Sequence, residues 1–286
     1  MSPPAYLSLT PETSREVLTG FGGVNYACGG SGILDKTGNK TNSLTMTQQV
    51  EFFAETKSKM TEYAGSKGSV AIDTLLSKSL FLISTGGNDM FEFIPKPSLV
   101  TFFYAQLLTS YTKHVQTLYN LGARRFGIIN VPCIGCVPVI RAMSPTGGCV
   151  GLANALAEGF NYLLSVRMAS LAADPKWSEM TYSIGSSYNL VTNFTADPEA
   201  AGFREVASAC CGDGRFGVER WCQANSTVCE NRDDYLFWDG AHSSQATANK
   251  GAAIIFAAPV ELGFAAPINF NQLVSSTHSF DKFSSS

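Results

Sequence analysis

The sequence predicts an α/β protein, a three-layer α/β/α sandwich on a mostly parallel sheet. Three observations carry that prediction. Short apolar runs alternate with longer stretches of helical periodicity. Several of those runs end abruptly in loops rich in Gly, Asn or Asp, the way a buried parallel strand delivers polar groups at its carboxyl end. A chain of 286 residues, 45% hydrophobic and 15% charged, can also bury one full core, so a single domain over residues 1–286 is expected.

The elements follow in order. Residues 1–20 hold Pro, Ser and Thr without clear periodicity and read as a loop or a short helix near 11–17. Residues 24–27 read as a brief strand entering Cys28-Gly29-Gly30-Ser31-Gly32, whose glycines permit positive φ and a close approach of backbone N–H groups to a ligand. Thr45 with Gln48 has the form of a capping box, and Met46, Val50, Phe53 and Met60 recur at helical spacing, so a helix is expected over 45–63. Residues 79–84 are a continuous apolar run ending in Thr85-Gly86-Gly87-Asn88-Asp89, the pattern of a buried strand followed by a second ligand-type loop. A helix over 99–119 ends at Gly122, before a strand at 125–131. A helix over 152–171, a short strand at 180–184 and a closing helix over 245–256 complete the alternation, with no internal repeat, linker or low-complexity block.

Charge and cysteines exclude some functions. A net charge of −3 and the lack of any Lys/Arg run provide no field for phosphates, so nucleic acid is not an expected partner. No apolar stretch reaches the roughly 18 to 20 residues of a membrane span, and the first 20 residues have no basic head followed by an apolar core, so neither a transmembrane segment nor a signal peptide is read in the chain as written. Of the eight cysteines, Cys136, Cys149, Cys210, Cys211, Cys222 and Cys229 gather in loop-like sequence, as disulfides of an oxidising compartment do. Glycosylation sequons at Asn39, Asn193 and Asn225 point the same way, to an extracellular or secretory-pathway protein. Cys133-Ile134-Gly135-Cys136 has redox or zinc spacing, but there is no second such pair and only three His, so no metal is expected. His114 lies mid-helix and His278 in a polar tail, neither with an acid at useful spacing.

The chemistry concentrates in Phe237-Trp238-Asp239-Gly240-Ala241-His242. An Asp three residues before a His in a turn can accept the Nδ1 proton, leaving Nε2 as a general base. The Gly30 N–H and the side-chain amide of Asn88 are candidate donors to the oxyanion of a tetrahedral intermediate. Such a set performs acyl transfer or ester hydrolysis and needs no metal or organic cofactor.

The segments at 23–34, at 86–89 and at 237–242 resemble three of the four sequence blocks of plant GDSL-type esterase/lipases, within the SGNH hydrolases. The likeness extends to Leu121-Gly122-Ala123-Arg124-Arg125-Phe126, Ile134-Gly135-Cys136-Val137-Pro138, Ala209-Cys210-Cys211-Gly212 and Ala266-Pro267-Ile268-Asn269, and so covers about residues 20–273. It implies a flavodoxin-like fold, His242 as base, Asp239 as its orienting partner, and Gly30 and Asn88 as oxyanion donors. The family's nucleophile sits in a Gly-Asp-Ser block at the end of the first strand, several tens of residues before the block that matches Gly23. No Gly-Asp-Ser and no Gly-x-Ser-x-Gly elbow occurs here. The expectation is therefore a domain lacking its first strand and its nucleophile, with raw strand edges and a tendency to associate.

Cys28 stands where the family usually has Ser, Ser243 where Pro commonly follows the His, and Cys133 where Pro is usual. A thiolate at Cys28 activated by His242 is conceivable, but the position belongs to the oxyanion loop and a small packed thiol is the preferred reading. Cys136 with Cys149, and bridges among Cys210, Cys211, Cys222 and Cys229, are expected, with their connectivity left open. The leading function is hydrolysis of a small-molecule or lipid acyl ester, the substrate unspecified among lipids, cell-wall acyl esters and small aromatic esters. The alternatives are a catalytically inactive relative that binds an acyl ester, a glycan or a protein partner, and an incomplete gene model. Oligomeric state is left open.

Overall fold

A computed structural model describes residues 2–19, 22–65, 68–94 and 99–276. The chain divides into two compact units: Met1–Gly127, Val166–Tyr182 and Leu273–Ser286 form the first, Ile128–Ser165 and Ser183–Gln272 the second. In chain order the elements are α1 (Pro11–Leu18), α2 (Met46–Ala64), α3 (Gly68–Lys78), β1 (Leu80–Ser84), α4 (Gly87–Phe93), α5 (Val100–Asn120), β2 (Arg125–Ile129), α6 (Pro138–Arg141) and α7 (Gly151–Ala173). They continue with β3 (Thr181–Gly185), α8 (Ser187–Ala196), β4 (Glu205–Ala209), β5 (Tyr235–Phe237), α9 (Gln245–Ala257), β6 (Ala265–Ala266) and α10 (Phe270–Ser275).

One sheet has the order β1-β2-β3-β6, and β4 pairs with β5 in a second. Thr181 N–H donates to the Arg124 carbonyl (2.8 Å) and Asn130 N–H to the Gly185 carbonyl (3.0 Å), so β2 and β3 run parallel. β6 is antiparallel to β3, with Ile184 opposite Ala266. Mostly parallel strands alternating with flanking helices are what the α/β/α class requires.

In the first unit, α2 starts on the expected capping box: Gln48 N–H donates to Thr45 Oγ1 (3.2 Å) and Thr45 N–H to Gln48 Oε1 (2.9 Å). The helix buries Met46, Val50, Phe53 and Met60, the stripe read from the sequence. A chain of rings ties it to the sheet: centroids are 6.1 Å apart from Tyr26 to Phe53, 5.1 Å from Phe53 to Phe81 and 6.2 Å from Phe81 to Phe126. α5 buries Leu107, Tyr111 and Val115 and gives way to β2 through Gly122 at φ 108°.

Two expectations fail here. Residues 24–27 form no strand; Asn25 alone makes a parallel bridge, to Ala5. Its side chain accepts from Ala27 N–H (2.9 Å), and such a local bond turns the backbone out of a ladder. β1 is a strand, but not one buried on both faces: Leu80 is 41% and Leu82 60% exposed, while Ile83 is buried. β1 closes one end of the sheet, and a continuous apolar run does not reveal which face is covered. The sequence reading also passes over α3, although Ile72 and Leu76, four apart, pack its inner face.

In the second unit, Glu205 pairs with Tyr235 and Ala209 with Phe237 across the parallel β4–β5 pair. Three disulfides, Cys136–Cys149, Cys210–Cys229 and Cys211–Cys222, resolve the open connectivity. Closing loops of this length contributes on the order of 3 kcal/mol each in the chain-entropy account. Cys28 and Cys133 remain free thiols. No helix among the described residues is long and apolar enough to cross a membrane.

Candidate active site

The acid–base pair lies in the second unit, on the turn between β5 and α9. Trp238 N–H donates to the His242 carbonyl (2.9 Å) and Ser244 N–H to the Leu236 carbonyl (2.9 Å), so the turn closes on itself before Ser244 caps α9. Inside it, Asp239 Oδ1 accepts from Ala241 N–H (2.9 Å) and His242 N–H (2.8 Å). These local bonds fix the carboxylate before it meets the imidazole. His242 Nδ1 then lies 2.9 Å from both Oδ1 and Oδ2 of Asp239. Nδ1 is thereby the protonated nitrogen, and Nε2 carries the lone pair.

Electrostatics reinforce that assignment. The His242 pKa is raised, chiefly by its bond to Asp239, against partial burial. Burial alone pushes the Asp239 carboxyl up, but the bonds from the His242 ring and from the two backbone N–H groups outweigh it, and the net shift is downward. The imidazole side chain is 76% exposed and the carboxylate 17%, so the base is open while its acid is sheltered.

Gly240 matters for room rather than for a special φ. A Cβ there would stand 3.0 Å from Val218 Cγ1 and 3.2 Å from Trp221 Cζ3. Its carbonyl also accepts from Val139 N–H (2.9 Å).

The candidate oxyanion donors lie in the first unit. Gly30 has φ 81°, and a Cβ would press on Ser43 Oγ (2.5 Å) and Thr41 Oγ1 (3.1 Å), so both conformation and space call for glycine. Among the described residues its N–H meets no acceptor. Asn88, in the first turn of α4, donates one amide hydrogen from Nδ2 to the Ser31 carbonyl (2.9 Å). That bond sets its rotamer, and among the described residues the second amide hydrogen meets no acceptor. The structure thus joins Gly30's loop to Asn88, and Asp239 to His242.

Sequence reasoning missed what holds the loop. Asp89, quoted only as part of a motif, is 1% exposed and accepts from Ile33 N–H (2.7 Å), Leu34 N–H (3.1 Å) and Thr37 Oγ1 (2.7 Å). Burial raises its pKa, countered by those bonds. His114, a mid-helix residue with no role expected, is buried and hydrogen-bonded to the backbone of Ile33. The signal for Asp89 was its place beside Asn88 and the spare glycine at Gly32; nothing in the spacing announced His114.

Cys28 Sγ accepts from Leu44 N–H (3.3 Å), a packing contact of the loop. Cys133 is buried, and burial raises its thiol pKa. No cluster of three or more His, Cys, Asp or Glu among the described residues could hold a metal ion. His278 lies outside the described residues.

Comparison with known proteins matches residues 5–255 to the family model of GDSL-like lipase/acylhydrolases. Among curated proteins of Arabidopsis thaliana, the chain is 31% identical over 254 residues to GDSL esterase/lipase APG, covering 85% of this chain and 69% of that protein. It is 35% identical over 257 residues to GDSL esterase/lipase At5g03810, covering 85% and 69%. It is 33% identical over 283 residues to GDSL esterase/lipase At2g23540, covering 93% and 70%. An α/β fold carrying an Asp–His pair already points to the hydrolases. The chain belongs to the GDSL-like lipase/acylhydrolase family and is, by family, a carboxylic ester hydrolase.

Proposed function

We propose that the protein hydrolyses a small-molecule or lipid acyl ester through an acyl-serine intermediate. His242 is the general base that deprotonates the serine and then the water, and Asp239 holds its tautomer. The Gly30 N–H and Asn88 Nδ2 donate to the oxyanion of each tetrahedral intermediate. The observation that carries this reading is the Asp239–His242 contact, both carboxylate oxygens 2.9 Å from Nδ1. The serine of this mechanism has no Gly-Asp-Ser block within these 286 residues. The three disulfides support an extracellular or secretory-pathway setting, and Asn39, Asn193 and Asn225 are exposed as glycan acceptors must be.

A second reading is a family member that binds an acyl ester, a glycan or a protein partner without turning it over. Hydrolysis of a short-chain chromogenic ester separates the two. The assay compares the 286-residue chain, a version extended upstream with a Gly-Asp-Ser block, and the His242→Ala variant of each. Turnover in the extended form that His242→Ala abolishes supports the hydrolase; no turnover in any form leaves the binding reading.

A further inference from the structure

We propose that Asp89 is the positioning residue of the oxyanion donors, fixing the Gly30 N–H and the Asn88 amide in one geometry through a carboxylate that touches neither substrate nor reacting atoms. The proposal rests on the reading of Gly30 and Asn88 as those donors.

Asp89 is 1% exposed, and no ion pair reaches it among the described residues. A buried, unpaired carboxylate is costly and persists only where several donors satisfy it. Here three do, and all come from one short stretch: Ile33 N–H at 2.7 Å, Leu34 N–H at 3.1 Å and the Thr37 hydroxyl at 2.7 Å. An amide in its place has one acceptor oxygen, and its NH2 would face donors. Only a carboxylate accepts on both sides, so residues 33–37 wrap around it.

Asn88, the preceding residue, holds the Ser31 carbonyl (2.9 Å), and Glu92, one turn later, accepts from Gly38 N–H (3.0 Å). The first turns of α4 therefore grip the loop on both sides of Gly32. Gly32 is glycine to let this happen, because a Cβ would collide with Asp89 Oδ2 and stand 2.6 Å from Thr37 Cγ2. One covalent step along the chain thus links the side chain that donates to the oxyanion with the side chain that orients the loop donating the other hydrogen. Misplacing such donors by about 1 Å is worth on the order of 100-fold in rate.

The test reads the loop and the reaction separately, in the wild type, Asp89→Asn, Thr37→Val and Asn88→Ala. By NMR, Asp89→Asn should speed amide hydrogen exchange at Ile33 and Leu34 by at least about 10-fold and shift the Gly30 amide and Asn88 side-chain amide signals, while amides of the α5 interior stay protected. In the form that turns over ester, Asp89→Asn should lower kcat about 10- to 100-fold with KM within about twofold, and add little to the loss in Asn88→Ala. Unchanged Gly30 and Asn88 signals in Asp89→Asn overturn the proposal whether or not any ester is hydrolysed. An unchanged kcat in Asp89→Asn beside a large loss in Asn88→Ala also overturns it and leaves the oxyanion reading standing. Full activity in Asn88→Ala overturns the oxyanion reading itself, and the catalytic meaning of Asp89 with it. Should Asp89→Asn fail to fold, Thr37→Val removes one donor and no charge, and the same signals must shift with smaller amplitude.

Discussion

The Asp239–His242 turn and the Gly30–Asn88 loop are built on opposite plans. The bonds that fix the carboxylate against the imidazole join residues two or three positions apart, and the imidazole is 76% exposed. The loop is held from far along the chain: Asp89 bonds residues 52 to 56 positions away and is itself 1% exposed. A locally closed turn can lose its chemistry and keep its shape. A loop wrapped around a buried carboxylate loses both together, because the charge it satisfies becomes a liability once the donors leave.

The largest effect that separates the two plans is expected from Asp239→Asn. The amide no longer selects the Nδ1–H tautomer, and kcat in an ester-hydrolysing form should fall by about 10³- to 10⁴-fold. Because the imidazole is exposed and the Asn oxygen can still accept from the Ala241 and His242 N–H groups, the thermal midpoint should move by less than about 2 °C; a large drop in midpoint would show that the turn is structural after all. Gly32→Ala should do the reverse. Its Cβ would press into both Asp89 and Thr37, and the expected cost is about 2 to 3 kcal/mol in chemical denaturation; a variant as stable as the wild type would mean that the loop is not wrapped around the carboxylate. Gly240→Ala, which meets side chains at 3.0 and 3.2 Å rather than a buried charge, should cost about 1 kcal/mol.

The same contrast explains what the sequence revealed. The Asp239–His242 pair could be read from spacing because its geometry is local, as could the Thr45–Gln48 capping box and the stripe of α2. What depended on distant partners escaped. The run at 79–84 reads as a strand, but its exposed Leu80 and Leu82 depend on what lies beside β1. Residues 24–27 read as a strand because nothing in their composition shows that the Asn25 side chain bonds Ala27 N–H. The sequence points to which cysteines form disulfides, yet pairing Cys210 with Cys229 and Cys211 with Cys222 is a fact of three dimensions. Asp89 stood in plain view as a motif residue, and its role could not be read without the 52- to 56-residue return of the chain.

Two histidines offer the finest test, because the two regions shift the same side chain in opposite directions. Burial lowers the pKa of His114, behind the loop, while Asp35 and the Ile33 backbone raise it and Lys113 lowers it further; the net shift is down. The bond to Asp239 raises that of His242. The ordinary imidazole value is about 6.5. A pKa lowered by folding means that His114 contributes its stability in full above that value and loses it as pH falls through the lowered one. A pKa raised by folding means that His242 contributes in full below it and loses that contribution as pH rises through the raised one. In the proposed mechanism His242 must be neutral to act as base, so the rate of an ester-hydrolysing form should rise as pH climbs through the raised value, where the pair's stabilisation fades. With three histidines in the chain, imidazole proton signals followed against pH in the wild type, Asp239→Asn and Asp89→Asn resolve them. His242 should titrate above the ordinary value and fall back toward it in Asp239→Asn alone. His114 should titrate below it and move toward it in Asp89→Asn alone, as the loosened loop lets water reach the ring. If Asp239→Asn leaves the His242 titration in place, the carboxylate does not orient the base. If Asp89→Asn leaves His114 in place, the loop has stayed closed without its carboxylate.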